Sequence, residues 1–248
     1  LLSRVTYNSI SKYEKGQMLP DNGTIIKLAE ALKVTPGYFF QKNTIELGTI
    51  EFRKKSGLTE TEIELLTEKT KDKLERYIQA ESLLNISSKF RNPISRYNIN
   101  SADKAEEMAD ILRQEWSLGN NPIPNVIEML EENEVKVIEV EASDRFDGLC
   151  TWVNKSIPVT VINESFAIER KRFTALHELG HVTMNLSALP EKKKEEYCNR
   201  FAAALLFPKD EAIRTLGDKR SNIAMGELVA LKEEYGISVQ AIMKRALD

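Results

Sequence analysis

The chain holds two histidines, and both lie in the run His177-Glu178-Leu179-Gly180-His181. Side chains four apart on a helix stand one turn apart on one face, so as a helix this run aims both imidazoles at a single ion. Phe173, Leu176, His177, Gly180, His181 and Met184 fall on one stripe, which turns the histidines toward a protein interior. Glu178 then projects beside them, where its carboxylate can accept a proton from an attacking water. Gly180 costs a helix about 1 kcal/mol relative to Ala, and here it is expected to let another backbone approach the metal helix closely.

A hydrolytic metal site needs a third protein ligand and an open position. The next helical pattern, Glu195 to Pro208, offers two glutamates. Glu195 shares its face with Asn199 and Ala202, a polar partner and a small residue that permit close packing. Glu196 is followed one turn later by Arg200, the pattern of an exposed ion pair. Glu195 is therefore the expected ligand, with Asn199 placed to orient a ligand through a hydrogen bond. This donor set suits Zn2+ and also admits Mn2+ or Fe2+. Cys150 and Cys198 lie far apart without metal-type spacing and read as two buried free thiols in a reducing compartment.

The 248 residues are enough for two ordinary domains, and 42% hydrophobic with 29% charged residues is a globular balance. No apolar run approaches the roughly 18–20 residues needed to span a bilayer. The first residues lack a secretory pattern, so the cytoplasm is the expected compartment. Net charge is −3, but residues 1–60 carry nine basic against six acidic residues while the remainder carries 26 against 32. That is the asymmetry expected if only the amino-terminal part approaches phosphate.

The chain divides into three parts by pattern. Residues 1–58 read as short helices. Thr6 caps a helix from Tyr7 that Gly16 stops, a loop runs through Gly23, Thr24–Leu32 is a helix, and Thr35 caps a last short one with Pro36 at its first position. Val5-Thr6, Ile10 to Gly16, Pro20 and Leu28 to Leu32 resemble the second half of a Cro/repressor-type (XRE) helix-turn-helix domain. The resemblance puts the helix from Tyr7 in the major groove of double-stranded DNA, with Tyr7, Asn8, Ser9 and Lys12 nearest the bases. Leu1 to Arg4 are too few to supply the helix before the turn, so further residues are expected ahead of them. Residues 59–95 read as one long polar helix ending near Arg91-Asn92-Pro93; its stripe of Ile63, Leu66, Leu74 and Ile78 suits a connector or a homodimer seam. Residues 96–248 read as helices over 102–116 and 125–132, strands over 134–140, 148–153 and 158–162, and helices from about Ser165, an α+β domain. The carboxy-terminal helix, Gly turn and helix are expected to pack on this domain rather than read DNA.

Arg172 to His181, followed by Glu195, Asn199, Phe201-Ala202-Ala203 and Leu205-Leu206-Phe207-Pro208, resembles the ImmA/IrrE family of metallopeptidases. Phe146-Asp147-Gly148-Leu149 and Val161-Ile162-Asn163 are similar to that family's strand region. The resemblance implies a zincin-like fold, His177, His181 and Glu195 as ligands, Glu178 as general base, and a repressor-type protein as substrate. Arg172 and Tyr197 are the expected support, either for the oxyanion or for the structure around the site. Two other readings stand beside this one. In the first, a DNA-binding regulator uses its peptidase-like domain only to sense or bind a partner. In the second, an antitoxin-like interaction module keeps the metal for stability.

Overall fold

The computed structural model describes residues 5–40, 58–87, 89–217, 219–220 and 222–247. Leu1 to Arg4 and residues 41–57 of the expected first domain lie outside the described residues. The chain forms two compact units, 1–44 and 45–248.

The first unit holds α1 (Tyr7–Glu14), α2 (Asn22–Leu32) and a 3-10 turn (Pro36–Phe40). Thr6 caps α1 by accepting the amide of Ser9, and Gly16 follows the helix at φ +65°. α2 starts two residues earlier than the apolar pattern suggests, because Asp21 accepts the amide of Thr24 at 2.7 Å and caps it. Ile25 and Ala29 are buried in this unit.

The second unit contains α3 (Glu60–Leu83), α4 (Ala102–Glu115), α5 (Val126–Glu132), β1 (Lys136–Val140), β2 (Gly148–Val153), β3 (Ile157–Asn163), α6 (Ile168–Thr183), α7 (Glu191–Leu206), α8 (Lys209–Leu216), α9 (Met225–Tyr235) and α10 (Val239–Arg245). The strands lie in the order β1-β3-β2, with β1 parallel and β2 antiparallel to β3. Asn154 and Lys155, at φ +50° and +59°, turn β2 into β3. Two left-handed residues in succession give the hairpin turn whose twist matches the strands.

The sheet separates two cores. On one face Ile138, Val140, Leu149, Val153, Val159 and Val161 pack with Leu66 and Leu74 of α3. The stripe that reads as a connector or dimer seam is thus covered within the chain at these two positions. Thr59 and Glu62 close a reciprocal capping box at the start of α3, and Lys69 and Lys73 donate to the carbonyls of Glu141 and Glu139. On the other face Val137 and Ile162 join a larger core with the remaining helices. Leu228, Leu231, Tyr235, Ile237 and Ile242 sink into that core, so α9 and α10 pack on the domain as expected. No helix among the described residues is long and apolar enough to cross a membrane.

Candidate metal centre

α6 is buried along most of its length, from Thr174 through Gly180 without interruption. Its carboxy-terminal end is fixed by Asn92, whose Nδ2 donates to the carbonyl of Thr183 at 2.7 Å. α7 lies against it, and the two helices bring the expected ligands together. His177 Nε2 stands 3.0 Å from His181 Nε2, and Glu195 places Oε1 3.1 Å from His181 Nε2 and Oε2 3.7 Å from His177 Nε2. His177 Nδ1 is 2.9 Å from Oδ1 of Asn199. An amide oxygen accepts only, so Nδ1 carries the proton and Nε2 presents its lone pair to the cluster.

This geometry fits a divalent cation. Donors about 2.0–2.1 Å from a tetrahedral ion are spaced about 3.3–3.4 Å apart, and the separations of 3.0, 3.1 and 3.7 Å, with a different Glu195 oxygen toward each histidine, bracket that value. The His177 side chain is 1% exposed, that of His181 9% and that of Glu195 28%. The cluster therefore has an inner wall of imidazole and a carboxylate toward its open side. Glu178 is 2% exposed and sits under the start of β2. A methyl on Gly148 would stand 2.6 Å from Thr174 Cγ2, 2.8 Å from the Val161 carbonyl oxygen and 3.3 Å from Glu178 Cγ. The absence of a side chain at 148 is what lets this strand reach the metal helix.

Gly180 performs a different service from the one its position suggests. The atoms nearest a methyl there are side chains rather than backbone: Cys198 Sγ, Met184 Cε and Phe201 Cδ1, each at 3.2 Å. Cys198, which reads from sequence as an unremarkable buried thiol, belongs to the cluster: its Sγ and one ring nitrogen each of His177 and His181 all lie within 4.8 Å of one another. Helical periodicity held the only available signal, since Cys198 follows Glu195 by three positions.

Arg172 and Tyr197 are engaged elsewhere. The Arg172 guanidinium donates to the carbonyls of Pro124 (2.9 Å), Ile123 (2.6 Å) and Tyr235 (3.2 Å), and burial lowers its pKa from the ordinary value. Tyr197 donates its hydroxyl to the Asn100 carbonyl at 2.9 Å. Glu196 pairs with Lys193 at 2.9 Å, while Arg200 Nε lies 3.5 Å from Glu106. In the first unit Tyr7, Asn8 and Lys12 are exposed, whereas Ser9 is half-buried and bonded to Thr6 through its hydroxyl at 2.9 Å.

Residues 132–247 match the family model described as the IrrE N-terminal-like domain, of the M78 peptidases. Residues 1–39 match a helix-turn-helix model, and no curated protein matches the chain. The site of α6 and α7 lies wholly inside the first of these segments, so the candidate metal centre falls in the part of the chain that is similar to the IrrE N-terminal-like domain, in one chain with a segment similar to a helix-turn-helix domain.

Proposed function

We propose that the protein is a zinc-dependent, site-specific endopeptidase of the cytoplasm that cleaves a transcriptional repressor, with its helix-turn-helix domain bringing it to DNA. The observation that carries this reading is the convergence of His177, His181 and Glu195 on one point, with Asn199 bonded to His177 and Glu178 buried alongside. A site kept for stability alone has no need of Glu178.

His177, His181 and Glu195 would hold the ion. A divalent ion so held supplies Lewis acidity toward a carbonyl oxygen and makes water easier to deprotonate. The Glu178 carboxylate takes a proton from the water that adds to the scissile carbonyl carbon. It then delivers that proton to the amide nitrogen as the C–N bond breaks, leaving a carboxylic acid and an amine. Asn199 keeps the proton of His177 on Nδ1, and Arg172 and Tyr197 hold the frame through backbone carbonyls. On the DNA side, α1 would lie in the major groove with Tyr7, Asn8 and Lys12 presented to it and Ser9 tying the helix start.

The test is Glu178→Gln in the full chain with a co-expressed repressor as substrate. The variant is expected to keep its zinc and to lose cleavage by at least about a hundredfold. Cleavage at the parental rate removes Glu178 as the base.

A further inference from the structure

A cavity of about 580 Å3 lies beside the metal centre, and Asn199, the residue bonded to His177, forms part of its wall. That volume is in the range of pockets that enclose a bound ligand. Helical geometry gives the direction of the cavity. On α6 the wall residues Phe173 and Arg170 precede His177 by four and seven positions, so they continue the stripe of the histidines toward the amino end. On α7 Asn199 and Ala203 follow Glu195 by four and eight positions, so they continue the stripe of the carboxylate ligand. The cavity thus extends, along both helices, the face that carries the ligands. α10 supplies a further wall with Ala241 and Lys244, three positions apart on one face.

We propose that this cavity is a substrate subsite that receives an acidic side chain of the polypeptide, with Lys244 as its counter-charge. The proposal rests on the peptidase reading above and deepens it, by naming the class of residue recognised near the scissile bond. The charges of the wall support it. Its two carboxylates are answered by lysines outside the wall, Glu169 by Lys232 at 2.8 Å and Glu196 by Lys193 at 2.9 Å. Arg170 is bonded to Asp147 and Arg245 to Glu106, again partners outside the wall. Lys244 is exposed and forms no ion pair among the described residues. An incoming carboxylate therefore meets an ammonium on a long, adjustable stem, whereas an incoming lysine or arginine meets like charge. Ala203 and Ala241 are small enough to leave the space open, and the half-buried ring of Phe173 offers an apolar surface to the methylenes of the entering side chain.

Peptide hydroxamates test this by binding rather than turnover. The hydroxamate takes the metal, and its peptide extends to one side or the other according to whether the hydroxamate ends or begins it. Both series are made with Glu, Gln or Lys at each of the first two residues, and acetohydroxamate reports the metal alone. Titration calorimetry on the zinc-loaded full chain is expected to rank Glu above Gln at one of these positions by about fivefold, the upper range for an ion pair open to water, with Lys weakest. Lys244→Glu is expected to reverse that order. Ala241→Phe, which fills the cavity, is expected to weaken the Glu analogue by at least about fivefold, as overpacking does, and more than it weakens acetohydroxamate. Equal binding of the Glu and Gln analogues at every position overturns the proposal. So does an order that Lys244→Glu leaves intact, or a Glu analogue that Ala241→Phe leaves unaffected. A zinc-treated parent that binds no acetohydroxamate fails the metal-site reading itself, a distinct result that takes the proposal with it.

Discussion

His177 is held from both ends, and each end does a separate job. Asn199 Oδ1 at 2.9 Å from Nδ1 selects the tautomer, and the selected tautomer turns a lone pair toward His181 and Glu195. The ring itself is 1% exposed. Asn199→Ala is expected to weaken zinc binding about 10–100-fold, the range for loss of a group that orients a metal-bound histidine. Asn199→Asp, which keeps an acceptor in place, is expected to recover most of it. Competition against a chromophoric chelator measures both, and an alanine variant with parental affinity removes Asn199 from this role.

At the scale of elements, the site depends on how closely β2 and α7 approach α6. Among the described residues β2 is an edge strand, paired with β3 alone in the sheet, and Gly148 lies at its start with Thr174, Val161 and Glu178 around it. Gly148→Ala must push either the β3 carbonyl or the Thr174 and Glu178 side chains. Overpacking of this kind costs about 1–3 kcal/mol, readable in urea unfolding, and cleavage is expected to fall further than stability because Glu178 is displaced. Parental stability and cleavage together would show that the strand has room to move. These approaches are where sequence reading stops short. Alternating Val, Ile and Thr mark the strands, but a glycine at 148 looks the same whether it ends a turn or admits a helix. Likewise, the pattern of α3 shows an apolar stripe without showing that the sheet covers it.

Across the whole second unit, charge ties the helices that frame the site. Glu106 of α4 is bonded by Arg245 of α10, and Arg200 of α7 lies within 3.5 Å of it. Arg245 also donates to the Phe207 carbonyl at 3.1 Å. Burial alone would raise the Glu106 carboxyl, but the combined pull of Arg245, Arg200 and Lys209 outweighs it and holds the pKa below the ordinary value. A depressed folded pKa contributes stability above the ordinary carboxylate range and loses it as pH falls through the folded value. Glu106→Gln, which leaves Arg245 buried without its counter-charge, is expected to cost about 3 kcal/mol at neutral pH. The gap to the parent should narrow on acidification. Asp110, raised by burial and by the charge of Glu106, contributes with the opposite sign. Because that shift eases when the Glu106 charge is removed, the quantity to follow in urea unfolding across pH is the difference between Asp110→Asn and Asp110→Asn with Glu106→Gln. A gap that is constant from neutral to acid pH would remove the ion pair as its cause.

Sequence alone determined that His177 and His181 share one face of α6 and that Glu195 and Asn199 share one face of α7, because one element's periodicity fixes which side chains lie together. It also determined the three strands to within about two residues, whereas α3, which reads as running to about Arg91, ends at Leu83, and α2 begins two residues before its apolar pattern. The tertiary structure decided what no single period encodes: that α3 covers the sheet, that Arg172 and Tyr197 serve backbone carbonyls, and that Gly180 makes room for Cys198. Each of these depends on the distance between two elements, set by the volumes packed between them, and spacing along the chain carries no measure of that distance.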